Sequence, residues 1–271
     1  MKTASKIYTA LIFVFLYAPI FVLILFSFNS SNSTGSFAGF SLKWYGELMR
    51  DTGTRDALIN TLILASASSV AATIIGTAAA VGIDKMKKGF FKSSVMTVTN
   101  IPMMNPDIVT GISMMLLFVF VSKLVGAKGI LGFGTMLIAH ITFNLPYVIL
   151  SVLPKLRQID PHLAEAAQDL GCTPTGAFFR TVLPTIMPGV STGFIMSFTL
   201  SLDDFVISYF TSGPEFQTLP IRIFSMTKKR VTPDMFALST IIFVVILALL
   251  VLINVSQAQS EKRRNRIYKQ K

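Results

Sequence analysis

Six apolar runs, near residues 7–28, 58–83, 105–122, 130–153, 186–209 and 236–256, constrain what this chain can fold into. A bilayer span needs roughly 20 mostly apolar residues in a helix, and a helix satisfies its own backbone donors and acceptors where no water can. The runs therefore predict an all-α membrane protein with six transmembrane helices, folded as one transmembrane domain over residues 1–271. Charged residues make up 14% of the chain, against about 25% in soluble domains. The first run follows Lys2 and Lys6. It is longer than the roughly 7–15 apolar residues of a signal-peptide core, and no small-x-small site follows, so an uncleaved first span is expected. In the third run, "NIPMMNPDIVTG" puts Pro102, Pro106 and Gly111 at the start. Proline lacks an amide donor and clashes with the preceding turn, so a break or kink is expected there.

The net charge of +11 is read through loop positions, because Lys and Arg collect on the cytoplasmic side of membrane proteins. With the N-terminus inside, the inner segments hold Lys2 and Lys6, the cluster Lys85, Lys87, Lys88 and Lys92, then Lys155, Arg157 and Arg180, and the basic tail from Lys262. The outer segments hold fewer, although Arg222, Lys228, Lys229 and Arg230 share one outer loop. The bias predicts both termini in the cytoplasm. The tail "EKRRNRIYKQK" is expected to hold the last span against anionic lipid; no nucleic-acid role is expected for it. One cysteine, Cys172, excludes an intrachain disulfide, and two histidines far apart in sequence, His140 and His162, suggest no metal centre. No GxxxxGK[ST] phosphate loop is present, so the chain itself is not expected to bind or hydrolyse ATP.

Between the fourth and fifth runs lies a polar, punctuated stretch, "HLAEAAQDLGCTPTGAFFRTVLPTIMPGV". Asp160 suits a helix cap and Pro161 a first helical position. Gly171 suits a left-handed stop after Leu170, and Thr173 with Pro174 repeats the cap-and-proline start. A helix over Pro161–Leu170 is about 15 Å long, half a bilayer, and so belongs in or against the interface. Its Ala164, Ala166 and Ala167 leave a smooth surface, while Glu165, Gln168 and Asp169 supply polar groups. From the residues alone, this fits either an ordinary amphipathic surface helix or a helix docked into a groove of another protein.

In "EAAQDLG", nine residues, then "TVLP", the chain resembles the EAA loop of binding-protein-dependent ABC transporter permeases. Glu165, Ala166, Ala167, Gly171, Leu183 and Pro184 match in type and spacing; Thr181 stands where that pattern usually has an aliphatic residue. "GFSLKWYGELM", "NPDIVTGISMML" and "SLDDFVISYFTSGP" with "TLPIRIFSM" extend the resemblance to the spermidine/putrescine permeases, most closely their C-type subunit. The resemblance implies a type I importer permease fold in a bacterial inner membrane. It also implies a sister permease subunit of the B type, two copies of a cytoplasmic ATP-binding subunit that hold ATP and Mg, and an external polyamine-binding protein. No cofactor is implied for this chain. The helix around Glu165 is implied to be the coupling helix seated in a cleft of the ATPase.

Charge inside a bilayer is expensive, about 2.5–3.5 kcal/mol at a helix centre, which draws attention to Asp203 and Asp204 in the fifth run. Neighbouring helical residues point about 100° apart. One carboxylate is therefore expected to line a path for a cation and the other to cap a helix break or pair with a neighbour; a purely structural role for both stays open. Asp107, after Pro106, belongs either to the path or to a cap of the resumed helix. Trp44 and Tyr45 suit either cation–π contact with an amine or an interfacial aromatic belt. Glu47 and Glu215 are weaker outer-loop candidates. The residues with the resemblance point to a polyamine importer subunit. Rival readings keep the machine with another organic cation, an amino acid or a metal chelate as cargo, or replace it with a membrane-anchored regulator or an intramembrane enzyme.

Overall fold

The computed structural model describes residues 2–31, 35–126, 129–228, 233–248, 251 and 255. Its elements are helical: α1 (Lys2–Ser27), α2 (Lys43–Arg50), α3 (Thr52–Lys85), α4 (Phe90–Met104), α5 (Asp107–Val125), α6 (Phe133–Leu156) and α7 (Leu163–Asp169). They continue as α8 (Pro174–Asp203), α9 (Val206–Thr211), α10 (Leu219–Thr227) and α11 (Pro233–Ala248). The described residues contain no strand beyond one isolated bridge between Asn29 and Phe40. Five of these helices are long and apolar enough to cross a membrane: 6–27 of α1, then α3, α5, α6 and α8. The expected sixth span, 236–256, is met by α11 as a shorter apolar helix, and most of its remainder lies outside the described residues. The basic tail, Lys128, Lys229 and Arg230 also lie outside them.

Several boundaries differ from expectation. The third span runs Asp107–Val125 rather than 105–122 and is preceded by a separate helix, α4, that hydropathy alone does not reveal. The break falls at Asn105 and Pro106, because Pro106 cannot donate into the preceding turn and holds an extended ψ of 136°. Pro102 is accommodated inside α4. The fifth span also differs. Its helix begins at Pro174, passes through a π-turn at Phe178–Val182 and stops at Asp203, so residues 204–209 are not its continuation.

The chain divides into two compact units, residues 1–56 with 222–271, and residues 57–221. In the first, a loop folds around buried Asn29, whose side-chain amide donates to Ser36 O at 2.7 Å and whose carbonyl accepts from Ala38 N at 2.9 Å. The Asn29 backbone carbonyl accepts from the Trp44 indole at 2.7 Å. In the same unit Asp51 pairs with Arg222 at 3.3 Å. Its carboxyl is held below the ordinary carboxylate range, first by the Thr54 hydroxyl and then by the Arg222 guanidinium, against the opposing effect of burial.

The second unit is built on α3, α6 and α8. Ala72, Ala80 and Ile83 of α3 pack with Val148, Ile149, Val152 and Leu153 of α6 and Ile186 of α8. Apolar lipid gives helices little hydrophobic drive to associate, so close backbone approach through small residues matters more. A Cβ on Gly76 would stand 2.7 Å from Val148 Cγ1, and one on Gly189 2.8 Å from the Ser151 carbonyl. A second cluster, Phe118, Ala139, Phe143 and Ile207, joins α5, α6 and α9.

Candidate functional site

The acidic pair sits at a helix break. Helix α8 ends at Asp203, and Asp204 turns extended with ψ 121°. The Asp204 carboxylate accepts from the backbone amides of Ile207 at 3.3 Å and Ser208 at 2.7 Å, satisfying donors that the first turn of α9 would otherwise leave open. On its other side, Oδ2 lies 3.4 Å from His140 Nε2, with both side chains less than a tenth exposed. A buried carboxylate needs such partners. Asp203, one residue earlier, is exposed. An acid at a helix C-terminus works against the macrodipole by about 0.3–1 kcal/mol, so Asp203 stands where helix stability does not favour it.

Around the break runs a polar network that sequence patterns alone do not assemble. His140 Nδ1 is 3.2 Å from the Ser201 hydroxyl, and Nε2 is 3.0 Å from the Ser208 hydroxyl. The Asn144 amide donates to Ser201 Oγ at 2.8 Å, and the Ser68 and Ser201 hydroxyls are 3.0 Å apart. Three spans, α3, α6 and α8, and the short α9 thus meet at one buried cluster. The sequence does carry two signals of it. His140 and Asn144 fall four apart on one helix face, and both interrupt an apolar run.

The other path candidates have surroundings of their own. Asp107 is exposed in the first turn of α5; Pro106 occupies the cap position and no side-chain cap bond forms, which corrects the capping expectation. Its charge still complements the helix N-terminus. Trp44 is buried, with Lys43 Nζ 4.9 Å from its ring centre. The Tyr45 hydroxyl is 2.7 Å from Ser27 Oγ, and its ring packs on Phe28. Glu47 is half exposed and 3.7 Å from Lys43 Nζ. Glu215 is exposed.

The helix of the EAA loop is shorter than expected. Asp160 Oδ1 accepts from His162 N at 2.9 Å, and Asp160 O accepts from Leu163 N at 3.1 Å. This turn uses the first residues, so the helix starts at Leu163 rather than Pro161 and spans seven residues. Gly171 takes φ +89°; its amide donates to Gln168 O and the Cys172 amide to Ala167 O, closing the helix as a Schellman motif. Thr173 Oγ1 then accepts from Gly176 N at 3.1 Å. From Pro174 the chain runs straight into α8, so the expected second helix is the first part of the fifth span rather than a separate element. Within the loop, Glu165 and Ala166 face out and Ala167 is buried, while Leu183 packs against the α3–α6–α8 core and Pro184 is exposed. The departing Thr181 lies in the π-turn, its hydroxyl donating to the Ala177 carbonyl. Leu170 and Phe179, 87% and 64% exposed, are large apolar residues that the same loop presents at its surface.

Glu165 is not bare: its Oε2 lies 2.8 Å from His162 Nδ1. That hydrogen bond, then the charges of Glu165 and Asp160, raise the His162 pKa above its ordinary value. A raised folded-state pKa means that this contact favours the folded loop below the ordinary value of about 6.5 and is lost as pH rises through the higher folded one. Glu165→Gln is therefore expected to move the His162 midpoint down. The chain has two histidines, so imidazole NMR titration of the full chain in nanodiscs reads the change directly. An unmoved midpoint would contradict the assigned contact.

The sequence profile of a family described as "Binding-protein-dependent transport system inner membrane component" matches residues 72–266. The putrescine transport system permease protein PotI of Escherichia coli (strain K12) is 41% identical over 230 residues, covering 85% of this chain and 82% of that protein. The spermidine/putrescine transport system permease protein PotC of the same organism is 40% identical over 243 residues, covering 89% and 88%. Among solved structures, a chain of a bacterial ABC transporter for import of the acidic polysaccharide alginate superposes with TM-score 0.73 at 16% identity, covering 95% of this chain and 94% of that one.

Proposed function

The chain belongs to the binding-protein-dependent transport system inner membrane component family, and from that premise we propose that it forms, with a sister permease, the membrane path of an ATP-driven polyamine importer. It is a multi-pass membrane transport subunit and not an enzyme. The cargo assignment rests above all on the roughly two-fifths identity, over more than four-fifths of the chain, to permeases named for putrescine and spermidine. The fold alone carries no cargo information, since a transporter of an acidic polysaccharide has it too. The exposed carboxylate of Asp203, beside a helix break in the fifth span, supports a cationic cargo. Ammonium groups leaving water need compensating anions, and charge-assisted hydrogen bonds supply them.

In this reading both termini are cytoplasmic, following the basic residues of the inner segments. The loop from Asp160 to Pro184 then faces the cytoplasm and seats Glu165 in one of two ATP-binding subunits, which supply ATP and Mg chemistry. An external binding protein delivers the polyamine. Alternating access couples closure of the ATPases to opening of the path near Asp203. Uptake of radiolabelled putrescine and spermidine tests this in cells lacking their own polyamine importers and carrying this chain with its partner subunits. ATP-dependent uptake that unlabelled polyamines suppress and choline or arginine leave unchanged is expected. Uptake of neither polyamine by the assembled complex would overturn the cargo assignment.

A further inference from the structure

We propose that His140 is the positioning residue of the path: by bridging the α8–α9 break it keeps Asp204 engaged as a cap and leaves Asp203 as the outward carboxylate. The inference rests on the proposed role of Asp203 in the path. Its basis is the way one rigid ring touches both sides of the break. Nδ1 meets Ser201 in the last turn of α8, and Nε2 meets Ser208 in α9 and the Asp204 carboxylate. The ring cannot keep both contacts if the break straightens or opens. Helix α6 thus acts as a splint across a discontinuity that has no continuous backbone ladder of its own.

The protons can be arranged without conflict. Asn144 donates to Ser201, Ser201 donates to His140 Nδ1, and the Nε2 proton faces Ser208 and Asp204. A neutral imidazole serves this arrangement, and Asp204 is the only charged group in direct contact with the ring among the described residues. His140 and Asn144 are both buried, so neither is available to cargo in this conformation. The network also ties in α3 through Ser68. A movement of α3 or α6 relative to α8 is therefore transmitted to the residue that sets the direction of Asp203.

A purely structural role would lower the amount of assembled transporter and leave the affinity of the assembled fraction alone. The test is therefore the apparent KM of putrescine uptake by purified, assembled complex in proteoliposomes. His140→Leu is expected to raise KM about tenfold, since a buried carboxylate and two hydroxyls lose their partner. His140→Gln, which offers one donor and one acceptor, is expected to stay within about threefold of the parent. In an Asp203→Asn background His140→Leu should raise KM no further, because both changes act through one group. An unchanged KM in His140→Leu, or a KM effect that persists in the Asp203→Asn background, would overturn the inference. Should leucine prevent assembly, Ser208→Ala carries the same test by removing the contact on the far side of the break. An Asp203→Asn complex with the parent KM would overturn the role of Asp203 and this inference with it. An Asp203→Asn defect beside a normal His140→Leu would overturn this inference alone.

Discussion

Replacing Glu165 with arginine is expected to abolish ATP-driven polyamine uptake while leaving the chain folded and in the membrane. Glu165 is exposed, and its side chain is hydrogen-bonded to His162 of its own chain. The substitution therefore removes no core contact, and surface changes of this kind usually alter stability by less than about 0.5 kcal/mol. The same loop exposes Leu170 and Phe179, apolar surface that a docked partner would desolvate. A charge pair formed there is costly to break, about 2–5 kcal/mol, or roughly 30-fold or more in affinity, when one member is removed. Arginine goes further than removal, because it reverses the charge that a basic group of a docked partner would meet. Uptake and ATPase stimulation should fall together, while the amount of chain extracted from membranes stays at the parent level. Normal uptake by this variant would contradict the coupling role.

The second large effect separates two adjacent aspartates. Asp203→Asn is expected to raise the apparent KM for polyamine about tenfold or more, as a hydrogen bond to a charged group contributes about 1.5–3 kcal/mol. The folded chain should be unharmed, since Asp203 is exposed and opposes the helix dipole where it stands. Asp204→Leu should instead reduce stability by roughly 2–6 kcal/mol, because two backbone amides each lose an acceptor at about 1–3 kcal/mol. It removes the acceptor for the Ile207 and Ser208 amides and leaves His140 facing no carboxylate. Thermal unfolding in detergent, read beside uptake, separates the two outcomes. Equal loss of stability in both variants would contradict the division of roles.

Most of the helical architecture was legible because hydropathy is strong evidence where a bilayer is the solvent. The spans at α1, α3, α5, α6 and α8 all fall on apolar runs. What hydropathy could not see were helix ends. The fifth run continues apolar through "FVISYF", yet the helix stops at Asp203, because Asp204 offers two backbone amides a better acceptor than a continued ladder would. Helix α4 was hidden for the opposite reason: its "FFKSSVMTVTN" mixes apolar and hydroxyl residues, and the hydroxyls of Ser94, Thr97 and Thr99 bond back to carbonyls four residues earlier. The loop caps at Asp160, Gly171 and Thr173 were readable, since each rests on local chemistry. His140 was not, because its meaning lies in partners 61 and 68 residues away. A lone histidine in a span announces a partner without naming it.

The most direct measurement is photo-crosslinking from position 165. A photoreactive amino acid replaces Glu165, and the complex is irradiated in inverted membrane vesicles with and without ATP. A covalent product with the ATP-binding subunit is expected, its yield changing with nucleotide. Products with lipid alone, or labelling of position 165 by an impermeant reagent added outside intact cells, would contradict it.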